Sequence, residues 1–198
     1  MKIRILIPFL FVILATEVLF AAPRKTNRAR PSRTAAVAVT ALVSDNTLAD
    51  TNLMAVGFSP GNAEQIVLSV IKGARREICV CAYAFSSRKI IQALEDAKKR
   101  GVDVKVLVEV PRTGKQRDSL KKAFAKNQLS HRYNRPENPI LHHKFIVADR
   151  QIVQVGSFNY TQAAAMHNAE NVVVLRGNAV ARRYFAEWNL LWDKALRR

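Results

Sequence analysis

Past residue 60 the hydrophobic positions switch repeatedly between two periods. Ile66, Val67, Val70 and Ile71 fall at helical spacing behind the turn Ser59-Pro60-Gly61-Asn62, which predicts a helix over Ala63 to Lys72. Glu77 to Phe85 is rich in strand formers. Ile90, Ile91, Leu94 and Ala97 make one helical face between Ser87 and Arg100, closed by Gly101. Val104, Val106, Val108 and Val110 alternate, so Val102 to Val110 reads as a strand with one valine face. A helix over Asp118 to Asn127 and a short strand near Ser130 to Tyr133 follow. Lys144 to Ala148 and Ile152 to Val155 read as strands joined by a tight Asp149-Arg150 turn. A short helix over Thr161 to Met166, a strand over Asn171 to Arg176 and an amphipathic helix over Val180 to Leu196 complete the order. Trp188 and Trp192 sit four apart on that last helix, the spacing of a core stripe. Strands alternating with helices predict an α/β fold: a mixed β-sheet flanked by helices. No internal repeat is visible.

The first 55 residues follow neither period. Lys2 and Arg4 precede an apolar run from Ile5 to Ala15, and Ala21-Ala22 then precede Pro23. That run is short for a membrane span and has the layout of a signal peptide, which puts cleavage after Ala21. Pro23 to Arg33 carries Arg24, Lys25, Arg28, Arg30 and Arg33 with no acidic residue, as a flexible basic arm does. Ala35 to Ala55 reads as a linker or a weak helix. The expected organisation is a signal peptide over 1–21, a basic arm and linker over 22–55, and one catalytic domain over 56–198. The chain is then exported, to a bacterial periplasm or outside the cell, or held at the membrane where the leader stays uncleaved.

Charge narrows the partners. Lys and Arg number 32 against 15 Asp and Glu, a formal net charge of +17 that falls only to +16 without the leader. Such an excess attracts polyanions, either nucleic acid or an anionic membrane surface reached through the basic arm. Cys79 and Cys81 are the only cysteines and alternate on one strand face, where a disulfide would be strained; buried thiols are the expected state.

The chemistry lies in His142-His143-Lys144-Phe145-Ile146-Val147-Ala148-Asp149 followed by Gly156-Ser157-Phe158-Asn159. An isolated H-x-K is ordinarily a surface accident. Here it continues as H-x-K-x(4)-D-x(6)-G-S-x-N, which sets a nucleophile, a cation and two small hydrogen-bond donors close together. His142 alternates with Lys144 on the strand, so both face one side, and Ser157 and Asn159 also lie two apart. Breaking a phosphodiester needs a nucleophile, neutralisation of the phosphoryl charge and a proton for the leaving oxygen. Asp149 falls at a tight turn, where Asp serves the backbone, and reads mainly as a structural acceptor. His143 points the opposite way. His131 and His167 carry no signature, and no spacing among the histidines and acids marks a metal site.

This pattern resembles the signature of the phospholipase D superfamily. The resemblance runs from about Val56 to Lys194, through Gly57-Phe58-Ser59-Pro60, Ala97 to Lys105, Gly156 to Thr161 and Ala169-Glu170-Asn171. It is similar in particular to the small exported bacterial endonuclease branch. The resemblance implies a phospholipase D/nuclease-like sandwich with one motif per chain, and phosphodiester cleavage through a phosphohistidine on His142, with no cofactor and no metal. It makes His142, Lys144, Asp149 and Glu170 the catalytic set, and Lys144, Ser157 and Asn159 the phosphate-binding set. Glu170 would accept a hydrogen bond from Nδ1 of His142. One histidine cannot readily be both nucleophile and leaving-group acid, so a homodimer with a shared active site is expected, His142 of the partner subunit being the acid. The expected substrate is DNA, with RNA as the near alternative. A phospholipase D acting on phosphatidyl head groups uses the same chemistry, and a non-catalytic polyanion-binding protein is the alternative of another class. Lipid synthesis is disfavoured, because such synthases carry both motifs in a longer chain.

Overall fold

The computed structural model describes residues 49–197 apart from residue 112, with backbone alone at 196 and 197. The expected leader, basic arm and most of the linker lie outside the described residues. The elements run β1 (Asn52–Ser59), α1 (Ala63–Gly73), β2 (Glu77–Ala82), α2 (Arg88–Lys99), β3 (Asp103–Val108), α3 (Gly114–Lys126), β4 (Ser130–Tyr133), β5 (Lys144–Ala148), β6 (Ile152–Gly156), α4 (Gln162–Met166), β7 (Glu170–Arg176), α5 (Asn178–Lys194) and β8 (Leu196–Arg197). The eight strands form one sheet in the order β1-β7-β6-β5-β2-β3-β4-β8. β2 pairs in parallel with β3, and β3 with β4; every other pairing is antiparallel. This is the mixed sheet expected from the alternating periods.

The central strands bury both faces, and the two faces feed two cores. Ile78 and Val80 of β2, Val104, Val106 and Val108 of β3 and Ile146 of β5 meet α1, α2 and α3 on one side. Cys79, Cys81, Leu107, Phe145, Val147 and Val153 point the other way and meet α5. Trp188 and Trp192 are buried against that second face and stack with centroids 4.7 Å apart. The indole Nε1 of Trp188 donates to the carbonyl of Val80 at 2.9 Å, so its polar atom is satisfied inside the core. Both cysteines are free and buried, and burial pushes the Cys79 thiol up to about 12.

Several boundaries differ from the sequence expectation: β2 stops at Ala82, the helix expected over Asp118 to Asn127 starts at Gly114, and both ends of the folded region shift. The folded region takes in Asn52 to Ala55, ahead of the expected start at Val56, because these residues begin strand β1. β1 escapes pattern reading because its polarity is inverted. Its inward positions are small, and its outward ones, Met54, Val56 and Phe58, are large and exposed. α1 packs close to this inner side: a Cβ on Gly57 would come within 2.5 Å of Ile66 Cδ1, whose side-chain tip would have to move. At the other end α5 stops at Lys194, and Leu196–Arg197 pairs with β4 instead of continuing the helix.

Candidate active site

The hairpin between β5 and β6 sends the two halves of the motif to the same end of the sheet. β5 starts with Lys144 and β6 finishes at Gly156, while β7 starts with Glu170 and β2 finishes just before Tyr83. His142 itself precedes β5, on the lead-in from β4, and is exposed. It is therefore not held by the ladder, as the alternation argument supposed.

Lys144 is buried, with only 8% of its surface exposed. Its Nζ lies 2.9 Å from His142 Nδ1 and 3.3 Å from Nε2, and donates to the His142 carbonyl at 2.7 Å. The ammonium also sits 5.1 Å from the Tyr83 ring centroid, and the same ring packs on the His142 imidazole at 4.5 Å. Burial lowers the Lys144 pKa, and the negative charge of Glu170 opposes that shift. Tyr83 belongs to no motif; the one mark it carries in the sequence is its place near the finish of the strand expected over Glu77 to Phe85.

Ser157 and Asn159 reach the same end through alternation. Phe158 and Tyr160 are fully buried between and after them, and the Tyr160 hydroxyl donates to Gln154 Oε1 at 2.8 Å. The Tyr160 amide donates to the Ala84 carbonyl, and Ser86 and Ser87 donate back to the Tyr160 carbonyl. These ties fix the Gly156–Tyr160 segment against the loop that carries Tyr83. Gly156 is required by space, since a Cβ there would lie 2.1 Å from the Asn171 carbonyl oxygen. Asn159 is half-buried, and its Oδ1 has no hydrogen-bond partner among the described residues.

Glu170 does not take the place expected for it. Its carboxylate accepts from Ser157 Oγ at 2.5 Å and from Asn168 Nδ2 at 3.0 Å, and its link to the His142 cluster is electrostatic, through Lys144. β6 lies between β5 and β7, and Ser157 from the end of β6 takes the Glu170 carboxylate.

Asp149 is not part of this cluster. It follows the last residue of β5, about 17 Å of strand away from Lys144. There it accepts from the backbone amides of Arg75, Arg76 and Glu77 at 2.9, 2.7 and 3.0 Å. Burial pushes its carboxyl up, but the Glu77, Arg76 and Arg75 amides outweigh that and hold it below the usual carboxylate range. The catalytic place that the resemblance implies for Asp149 thus gives way to the structural acceptor role. The remaining histidines stand apart. His143 faces Glu187 of α5 at 3.5 Å, and His131 packs between Phe124 and Tyr133. Among the described residues, no three His, Cys, Asp or Glu side chains converge as metal ligands do.

The family model described as "Cardiolipin synthase, PLD-like domain" matches residues 67–192. A protein named phospholipase D from Rickettsia bellii is 35% identical over 137 residues, covering 65% of this chain and 63% of that protein. The human mitochondrial cardiolipin hydrolase is 30% identical over 132 residues, covering 65% of this chain and 50% of that protein. The chain thus spans between half and two thirds of these relatives. Among solved structures, the phospholipase D family member Nuc from Salmonella typhimurium is 35% identical with a TM-score of 0.70, covering 75% of this chain and 98% of that one.

Proposed function

The chain belongs to the phospholipase D superfamily, and from that premise we propose that it is an exported, metal-independent phosphodiesterase acting mainly on DNA, with RNA as a second substrate. The observation that carries the reading is the buried Lys144 ammonium lying 2.9 Å from the imidazole of the exposed His142. A cation held at that depth, beside a nucleophile open to solvent, suits an incoming phosphate. The charge of +17 supports a long polyanionic substrate, bound through its phosphates and weakened by salt. Export rests on the N-terminal pattern alone.

In this mechanism the phosphate draws the Lys144 ammonium from the ring onto a non-bridging oxygen, and Ser157 and Asn159 donate to the same group. Nε2 of His142 attacks phosphorus. The bond from phosphorus to the leaving oxygen breaks, and that oxygen takes a proton from the imidazolium of the partner subunit's His142. Water then attacks the phosphohistidine and gives its proton to the now neutral partner's His142. The P–N bond breaks and His142 is restored. One histidine is neutral and the other protonated at the start, so a bell-shaped pH profile belongs to the pair. Glu170 keeps the Lys144 cation in place electrostatically and orients Ser157.

The second subunit is part of the proposal. Met54, Val56 and Phe58 make an exposed apolar row, and Phe58 pairs across from Asn171, whose amide donates to Ser157 Oγ. The row therefore ends beside the site, where a second copy could bury it and add its own His142.

The names of the relatives favour a second reading, hydrolysis of a phospholipid head group. The full chain incubated in EDTA with plasmid DNA, with phosphatidylcholine vesicles and with cardiolipin vesicles, beside His142→Ala, separates the cases. DNA cleavage that survives EDTA and vanishes in H142A, with DNA still bound, is the expected result. Lipid cleavage alone selects the second reading. DNA binding with no turnover on any substrate leaves a polyanion-binding protein.

A further inference from the structure

His142 stands on a lead-in of irregular backbone that holds Pro136 and Pro139, and a loop of that kind does not place a nucleophile by itself. What holds it comes from the neighbouring strand end. Glu109 follows β3, and its own amide donates to the Ala82 carbonyl at 2.9 Å, extending the β2–β3 ladder by one step. Its Oε2 accepts from the Leu141 amide at 2.7 Å and from Asn134 Nδ2 at 2.9 Å. Its Oε1 accepts from the Val110 amide at 3.0 Å. Asn134 is buried; its Nδ2 also donates to the Pro139 carbonyl at 3.0 Å, and its Oδ1 accepts from Asn138 at 3.1 Å. One carboxylate oxygen thus grips the lead-in directly at the residue before His142, and through Asn134 at its middle.

We propose that Glu109 is the positioning residue for His142: it holds the histidine lead-in at a distance from Tyr83 set by the β2–β3 ladder. Ala82, which receives the Glu109 amide, is followed by Tyr83, whose ring packs on His142. Both contacts of the nucleophile therefore start from one pair of hydrogen-bonded strand ends. A side-chain sp2 oxygen at this place matters because one atom must accept from two donors at once. A misplacement of about 1 Å at a nucleophile costs on the order of 10²-fold in rate.

The inference rests on His142 being the nucleophile, so the test reads position and turnover separately. In NMR spectra of the full chain, the Tyr83 ring should shift the His142 ring protons upfield. His131, packed on Phe124, reports in the same spectrum that the core is intact. Glu109→Ala should return the His142 signals to their random-coil position while His131 stays in place. Turnover of a simple phosphodiester, bis(p-nitrophenyl) phosphate, should fall about 10²-fold in kcat with KM within about threefold. Glu109→Gln keeps an oxygen for Leu141 and Asn134, loses only the bond from the Val110 amide, and should restore the shift, with kcat within about tenfold of wild type. If E109A does not fold, Asn134→Ala removes the Asn138 and Pro139 ties and is read by the same two signals, with the same direction expected. An unshifted His142 in the wild type, or a shift and kcat that both survive in the alanine variant, overturns the proposal. A shift lost in E109A from a protein that never turns over substrate upholds the placement and removes the catalytic reading instead.

Discussion

Replacing Asp149 separates a structural carboxylate from a chemical one. The hairpin turns at Asp149 and Arg150, both at φ of +54°, where Asp is tolerated better than most residues. In Asp149→Asn, an oxygen still accepts from the Arg76 and Glu77 amides, but the new NH2 faces the Arg75 amide, donor against donor. Losing that bond costs about 1 kcal/mol, and making the other two neutral costs roughly 0.5 kcal/mol each, about 2 kcal/mol in total. Asp149→Ala orphans all three amides. These are partly open to water, which limits the loss to about 3 kcal/mol. At roughly 2–4 °C per kcal/mol for a domain of this size, Tm should fall by about 4–8 °C in D149N and about 6–12 °C in D149A. The pH dependence has a fixed sign. A carboxyl held low in the fold contributes its full stability above the unfolded pKa of about 3.9 and loses it as pH falls through the folded pKa. The gap between wild type and D149N should therefore be constant from pH 7 to about pH 5 and close towards pH 3. Calorimetry across that range measures it, with turnover at 25 °C as the second readout. Turnover of the folded D149N should stay within about threefold of wild type. An unchanged Tm with turnover lost by more than 100-fold would refute the reasoning and return Asp149 to the reaction.

Two further substitutions bear on the site and its assembly. Lys144→Met removes a buried ammonium, so Tm should hold or rise by a few degrees while turnover falls at least about 10³-fold. A wild type whose stability also climbs as pH rises towards the lysine range, with that slope missing in K144M, would tie the effect to the lowered Lys144 pKa. Val56→Asp puts a charge in the middle of the exposed β1 row. Sedimentation should show the wild type as a dimer and the variant as a folded monomer with little activity; a variant still dimeric at micromolar concentration would move the interface elsewhere.

Much of the fold was readable in the chain because most strands and helices bury one regular face. The valines of β3 and the Ile90–Ala97 face of α2 carry their periods openly, and the structure places both within the core. β1 was missed because small residues line its inner side and its outer side is apolar and open, the reverse of an ordinary half-buried strand. Part of the candidate site follows from local spacing: Ser157 and Asn159 lie two apart around the buried Phe158, whereas His142 precedes β5 and meets Lys144 by a side-chain contact outside the ladder. Distances across the sheet depend on strand order, which no local spacing encodes. Only the tertiary structure interposed β6 between Lys144 and Glu170, brought the Arg75, Arg76 and Glu77 amides to Asp149, and brought Tyr83 and Glu109 to His142 from strands that lie 33 or more residues earlier in the chain. Side-chain chemistry is a property of the local sequence; which groups meet is set by strand pairing, a long-range result of burying both faces of the sheet at once.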